Sequence, residues 1–270
     1  AVRDAMDHFL AMAGQSAMLE IGGKAGLAKI NAMHTAGFRN GAMDYVKDKQ
    51  ELLVNVRALD ADPWALNTPS GILDLRSGEI YSHRPEAYCT KITPVSALDD
   101  EAYREKFETS RFKKFLYEVF SKVPREEIEE LIEFEQMTCG YCLTGDSTLH
   151  FLKFWYGEGR NGKSTLGEII QFVAGSYGKK ISNTVLMNTK NDRHPTEIAN
   201  LLGVRLAVAS EIAEGAYINE ALVKELTGDS ELSARFMRKD FFTFARTHKH
   251  IIYGNNKPRL RVANAAIKSR

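Results

Sequence analysis

The chain has 270 residues, of which 44% are hydrophobic, 26% charged and 10% aromatic. These ordinary values exclude collagen-like, disordered and coiled-coil classes and leave room for one large domain or two small ones. Lys plus Arg number 36 against 35 Asp plus Glu, a formal net charge of +1, which argues against a generally basic coat for nucleic acid.

Three cysteines do not make a secreted disulfide framework. No apolar run approaches the ~20 residues that cross a bilayer, so no membrane association is expected. Arg3, Asp4, Asp7 and His8 interrupt the start, which is not a signal peptide. The expected compartment is a reducing cytoplasm. The first residue is Ala1 and the last Arg270, and the chain reads as a segment of a longer protein, truncated at its carboxyl end.

In chain order, residues 1–60 read as short helices broken by Gly14, Gly22-Gly23, Gly26, Gly37 and Gly41. Gly71-Ile72-Leu73-Asp74-Leu75, Arg76-Ser77-Gly78 and Glu79-Ile80-Tyr81 form a hairpin pattern. Two amphipathic helices are predicted over 101–121 and 125–143, carried by Phe107, Phe112, Phe115, Leu116, Val119 and Phe120, then by Ile128, Leu131, Ile132 and Met137. Thr144-Gly145-Asp146-Ser147 ends this block. The expected division is 1–146, a mainly helical N-terminal domain with a small hairpin near 71–82, and 147–270.

After that boundary strands and helices alternate. Strands are expected at Phe151–Tyr156, Leu206–Ala209 and His250–Tyr253, helices at Ser164–Ala174, Pro195–Leu202 and Glu220–Leu226, and a hairpin over 231–245. Such alternation makes an α/β fold with a central parallel sheet and helices on its faces.

Gly157-Glu158-Gly159-Arg160-Asn161-Gly162-Lys163-Ser164 fits the pattern of Gly, four residues, then Gly-Lys-Ser/Thr. Glycines let the backbone curl so that successive N–H groups face phosphate oxygens, and the following helix adds its positive end. Lys163 would reach the β- and γ-phosphates and the Ser164 hydroxyl would hold Mg2+. Average composition makes a chance match about one per cent over a chain of this length. An apolar strand before the loop and a helix after it are what the mechanism requires. Residues Gly157–Thr165 are therefore the candidate ATP-binding segment.

Such a loop needs an acid for the metal and the attacking water. Glu211 ends the buried run Arg205-Leu206-Ala207-Val208-Ala209-Ser210 and is the candidate, as general base or as a partner of the magnesium. Ser210 stands where many such ATPases have a second acid. His250-Ile251-Ile252-Tyr253-Gly254 runs into Asn255-Asn256-Lys257-Pro258, and Asn255 at that strand end can bond the γ-phosphate or orient water. Alone, Asn-Asn-Lys-Pro is a turn.

The set Gly157–Ser164, Ala209-Ser210-Glu211, Lys224-Glu225-Leu226-Thr227-Gly228-Asp229 with Ala234-Arg235, and Tyr253–Pro258 resembles superfamily 3 helicases. The nearest group is the helicase part of phage and plasmid primase–helicases, related to the poxvirus enzyme. Gly71–Leu75, Lys91-Ile92-Thr93-Pro94 and Gly140–Asp146 look like that family's preceding domain. The resemblance covers about residues 65–261. It implies a P-loop NTPase of AAA+-like type, assembled as a homo-oligomeric ring, usually a hexamer, that hydrolyses ATP between subunits and threads single-stranded DNA. Lys163, Ser164, Glu211 and Asn255 would then take the roles given above. A hairpin with strands Leu232–Met237 and Phe241–Phe244 would present Arg238 and Lys239 to DNA phosphates. An arginine from the neighbouring subunit would complete the catalytic site; Arg259, Arg261 and Arg270 follow the last strand, and Arg270 matches best in position. A host-cell cytoplasm, bacterial for a phage or plasmid replicon, follows from the same resemblance.

Cys139-Gly140-Tyr141-Cys142 has dithiol spacing but no second pair, and reads as core packing. His194 precedes Pro195 in a polar helix-entry loop. Two further function classes remain open on the sequence: a phosphotransferase built on the same loop, and a nucleotide-gated ring assembly protein that would need no hydrolytic base.

Overall fold

The computed structural model describes residues 28, 31–47, 54–188 and 196–261. The chain divides into two compact units, Ala1–Val56 and Arg57–Arg270. In the first, helix α1 (Ala36–Lys47) starts at Thr35, whose hydroxyl accepts from Phe38 N at 3.2 Å. Gly37 and Gly41 were expected to break helices, yet both lie inside α1 with nothing within 4 Å of where a Cβ would be. Gly14, Gly22, Gly23 and Gly26 lie outside the described residues.

The second unit begins with an antiparallel sheet of β1 (Ala65–Thr68), β2 (Gly71–Asp74) and β3 (Ile80–Tyr81). The predicted hairpin is its β2–β3 half. Gly71, at φ 138, is needed there, because a Cβ would stand 2.4 Å from Tyr81 O.

Helices α2 (Asp100–Glu108), α3 (Arg111–Val119) and α4 (Arg125–Leu143) follow. The single helix expected over 101–121 is thus two. Ser110 ends one and caps the next, its hydroxyl accepting from Lys113 N at 3.0 Å. The five-residue step from Phe107 to Phe112 is where the helical spacing slips.

Strand β4 (Leu152–Tyr156) leads to helix α5 (Lys163–Ala174), then to β5 (Gly178–Lys180), helix α6 (Thr196–Ala199), β6 (Leu206–Ser210) and helix α7 (Glu220–Gly228). A hairpin of β7 (Glu231–Ala234) and β8 (Phe242–Ala245) precedes β9 (Lys249–Gly254). Strands β4, β9, β6 and β5 form one parallel sheet in that order. The β9 strand is inserted between the strand that enters the glycine-rich loop and the strand that ends at Glu211. The β6 and β9 strands are almost wholly buried, as expected of parallel strands covered on both faces.

Alternate residues of these strands feed two cores. Ala207, Ala209 and Ile252 pack with Leu222, Leu226 of α7 and Leu232, Phe244 of the hairpin. Leu206, Val208, Ile251 and Tyr253 pack with Leu166 and Ile170 of α5, Leu116 of α3, and Ile128, Ile132 and Cys142 of α4. The boundary expected at 146 therefore falls inside the second unit, where residues on both sides of it share a core. Burial pushes the Cys139 and Cys142 thiols up to about 12, which suits their packing role.

The carboxyl end of α4 is held by three buried cations from beyond that boundary. Arg205 donates to Leu143 O (2.8 Å), Ala65 O (2.8 Å) and Asp62 O (3.2 Å), with its guanidinium 4.5 Å from the Tyr177 ring centroid. Lys249, 1% exposed, donates to Thr144 O, to Asp146 O at 2.9 Å and to Thr247 O at 3.1 Å. Arg246 donates to Ser147 O and to Asp229 O. Burial brings the Lys249 ammonium down to about 7. Glu135 of α4 adds a largely buried pair with Lys153 of β4 at 2.7 Å and accepts from Trp155 Nε1 at 3.2 Å.

Replacing Arg205 with Ala should destabilise the chain by about 3 kcal/mol in urea unfolding, because it strands several buried carbonyl groups. Arg238→Ala, at an exposed turn, should stay within about 0.5 kcal/mol. Equal effects would mean that the cation at 205 does not fasten the α4 end.

Candidate active site

The carboxyl ends of three parallel strands meet at one cleft. The β4 strand enters the glycine-rich loop, β6 delivers Glu211 and β9 delivers Asn255, the positions at which open α/β sheets bind ligands. The cleft, about 460 Å3, is lined by Gly159 to Thr165, Glu211, Ile212 and Tyr253 to Asn256.

The loop turns into α5 at Gly162, whose φ of 82 lies in the left-handed region. A Cβ there would stand 2.5 Å from Val119 Cγ2 and 3.1 Å from Phe115 Cε2, so the loop backbone lies directly on α3. The first helical bond of α5 runs from Leu166 N to Gly162 O at 2.9 Å. The N–H groups of Lys163, Ser164 and Thr165 precede it and have no intrahelical acceptor. With the positive helix end they suit an anion.

The Lys163 ammonium donates to Gly157 O (2.8 Å), Glu158 O (2.9 Å) and Asn161 Oδ1 (2.6 Å). Burial lowers its pKa from the ordinary lysine value. The loop thus encircles its own cation, and a phosphate oxygen reaching Nζ would exchange one of these acceptors.

Glu211 is exposed and stands at φ 62, a left-handed conformation that costs a non-glycine residue about 1 kcal/mol. Its N–H donates to Tyr253 O at 3.1 Å and its carbonyl accepts from the Asn183 amide. These bonds hold the turn that brings Glu211 into the cleft lining. Asn256 donates to Ile212 O at 3.4 Å, and the Lys257 ammonium lies 3.7 Å from the Tyr156 ring centroid. The three strand ends are therefore tied to one another beside the loop.

Ser164 and Glu211 place a hydroxyl and a carboxylate in the same lining, the hard oxygen donors that Mg2+ prefers. Among the described residues no three His, Cys, Asp or Glu side chains cluster as a metal site. A divalent ion here would rest on these two oxygens with phosphate and water, so the residues fit that group.

Away from the cleft, β7 and β8 form the predicted hairpin, shorter than expected, with Leu232, Ala234 and Phe244 facing the core. Its tip turns through Arg238 at φ 59, and Lys239 N donates to Phe236 O at 3.1 Å. Both cations are exposed.

Residues 13–121 match the family described as D5 N terminal like, and residues 155–270 match a family of unknown function, DUF5906. A protein of Acanthamoeba polyphaga mimivirus, named as an inferred helicase, is 23% identical over 239 residues, covering 86% of this chain and 24% of its own length. Another so named, from Invertebrate iridescent virus 6, is 26% identical over 210 residues, covering 75% of this chain and 21% of its own. The chain is similar to these two viral proteins over three quarters or more of its length. It spans less than a quarter of the length of these viral relatives.

Apo structures of the NrS-1 C terminal region are similar at 11–12% identity. One has a TM-score of 0.42, covering 76% of this chain and 43% of its own, and another 0.40, covering 65% and 38%. The fold is read from this chain's own sheet order, a parallel α/β sheet preceded by helices, as the sequence pattern predicts. Among the described residues no helix is long and apolar enough to cross a membrane.

The cleft brings together Gly159, Arg160, Asn161, Gly162, Lys163, Ser164, Thr165, Glu211 and Asn255 of the predicted site. Gly157 and Glu158 do not line it; their carbonyl groups hold Lys163 instead. Arg238 and Lys239 stand on the hairpin, outside the lining. Arg270 and His194 lie outside the described residues. Of the other two arginines, Arg261 has its guanidinium 5.5 Å from the Tyr217 ring, and the Arg259 backbone bonds to Ala216 and Ile218. Asn183 gave no signal in the sequence, and Asn256, Phe115 and Val119 were legible only as turn and helical core, because each acts at the site across a distance in sequence that no local pattern encodes.

Gly162→Ala should destabilise the chain by about 1–3 kcal/mol in urea unfolding, through its left-handed φ and the collision with Val119. Gly159→Ala, with open space at its Cβ, should change stability by less than about 0.5 kcal/mol. A tolerated Ala at 162 would show that α3 does not brace the loop.

Proposed function

We propose that this chain is the ATP-hydrolysing motor segment of a replicative primase–helicase, working on single-stranded DNA. One observation carries the reading: a phosphate-binding loop at the head of a helix shares its cleft with a carboxylate and an amide delivered by two neighbouring parallel strands. Relatives named as helicases favour a motor over other uses of such a loop.

In this reading the backbone donors at the start of α5 and the Lys163 ammonium bind the β- and γ-phosphates. Mg2+, when bound, supplies charge neutralisation on the phosphates, and Ser164 with Glu211 would hold it. Glu211 accepts the proton of the attacking water, and Asn255 orients that water or bonds the γ-phosphate. Arg270 of a neighbouring subunit completes the site, which makes the working unit a homo-oligomeric ring, hexameric by the family resemblance. Arg238 and Lys239 meet DNA phosphates from the hairpin tip without reading sequence. A ring also reconciles DNA binding with a net charge of +1, since several copies aim a few cations at one strand.

The glutamate at 211 separates hydrolysis from nucleotide-gated assembly, which needs no general base. Lys163→Ala should abolish ATP turnover while leaving the circular-dichroism spectrum and unfolding midpoint unchanged. Turnover retained by that variant would refute the phosphate-loop assignment.

A further inference from the structure

The tip of the β7–β8 hairpin is unusual for a solvent-exposed turn. Turns of this kind are ordinarily polar, yet this one displays Phe236 (40% exposed), Met237 (68%) and Phe241 (61%). These apolar groups are interleaved with Arg235, Arg238 and Lys239, against one carboxylate, Asp240, in the same stretch.

The aromatic rings are held in place. Phe236 stacks on Phe242 at 5.5 Å between centroids, and Phe242 meets the buried Phe244 at 5.8 Å, a ladder running from the core to the tip. Phe241 is braced separately by the Arg235 guanidinium, 4.8 Å from its ring centroid. It also walls a shallow groove of about 360 Å3 together with Leu222 and Asn219. Pre-positioned rings lose little freedom when a flat partner settles on them.

We propose that this tip is a base-stacking platform for single-stranded DNA, with Phe241 as the principal stacking residue and Phe236 and Met237 beside it. The inference rests on the DNA-motor reading but adds a different chemistry to it. Phosphate contacts from Arg238 and Lys239 grip any polyanion; on a nucleic-acid strand an exposed ring gains its energy from the bases and not from the phosphates. Every base has a π-face, so the grip is tolerant of sequence, as a translocating motor needs. A docking protein would also use exposed aromatic residues. The exposed cations Arg238 and Lys239 between Phe236 and Phe241 favour a strand that offers phosphates and flat bases together.

The test is a fluorescence anisotropy titration of the whole chain with two labelled strands of about 16 nucleotides, one oligothymidylate and one fully abasic. The two carry equal phosphate charge and differ only in bases. Phe241→Ala should weaken oligothymidylate binding about tenfold, leave abasic binding unchanged and keep the salt slope. Phe241→Tyr, which keeps the ring, should retain most of the affinity. Arg238→Ala with Lys239→Ala should weaken both strands and flatten the slope. Equal binding of both strands by the unaltered chain, or equal loss on both with Phe241→Ala, would overturn stacking while leaving the motor reading intact. Absence of binding to either strand would overturn both readings. Unchanged oligothymidylate binding by Phe241→Ala, accompanied by altered self-association, would assign the tip to contacts between copies and overturn stacking.

Discussion

The carbonyl groups at the carboxyl end of α4 need donors, and the negative end of a 19-residue helix favours cations. The chain satisfies both needs with Arg205, Lys249 and Arg246, all buried, reaching back to Leu143, Thr144, Asp146 and Ser147. Arg205 precedes β6 and Lys249 begins β9. Those strands carry Glu211 and Asn255 at their other ends, roughly 20 Å away at the usual strand rise. Fastening one end of each strand to α4 therefore fixes the position of the residues at the other end. The same helix grips β4 through Glu135, and its neighbour α3 lies under Gly162. The helices that precede the sheet brace the loop and strands that line the cleft.

Parts of this arrangement were legible in the sequence and others were not. The loop at 157–164, the apolar strands expected at 151–156, 206–209 and 250–253, and the hairpin over 231–245 are local patterns, and local patterns survive folding. The order of strands is not local: nothing near Ile251 says that β9 sits between β4 and β6. The β5 strand, Gly178-Lys179-Lys180, is three residues with no apolar alternation and gave no signal. Three of the cations counted in a balance of +1 lie inside the protein, which no local pattern announces. Their partners are backbone carbonyl groups, which no composition count registers. The stretch of Thr, Gly, Asp and Ser at 144–147 looked like the end of a domain for the same reason.

The cleft and the hairpin divide the proposed work. The cleft has fixed backbone donors, the cations Arg160 and Lys163, the Glu211 carboxylate and the amides of Asn161, Asn255 and Asn256, a set suited to phosphate chemistry. The hairpin has rings and cations at an exposed tip, suited to a flexible polyanion with flat bases. His250 of β9 is buried with neither ring nitrogen bonded, and burial beside Arg246 pushes its pKa down to about 4, so it belongs to the neutral core between these two regions and to neither. Coupling between cleft and hairpin would pass through α7 and the core shared by Leu222, Leu226, Leu232 and Ile252.

In the proposed reading a neighbour's arginine completes the site and DNA threads the assembly, so turnover would be a property of the assembly and would respond to the strand. Both are read by one measurement: the rate of ATP hydrolysis per chain, with and without single-stranded DNA, across a range of protein concentrations. A shared-site DNA motor should show a rate that rises steeply with concentration and increases further when the strand is added. A rate per chain that is independent of concentration and unmoved by DNA would contradict it.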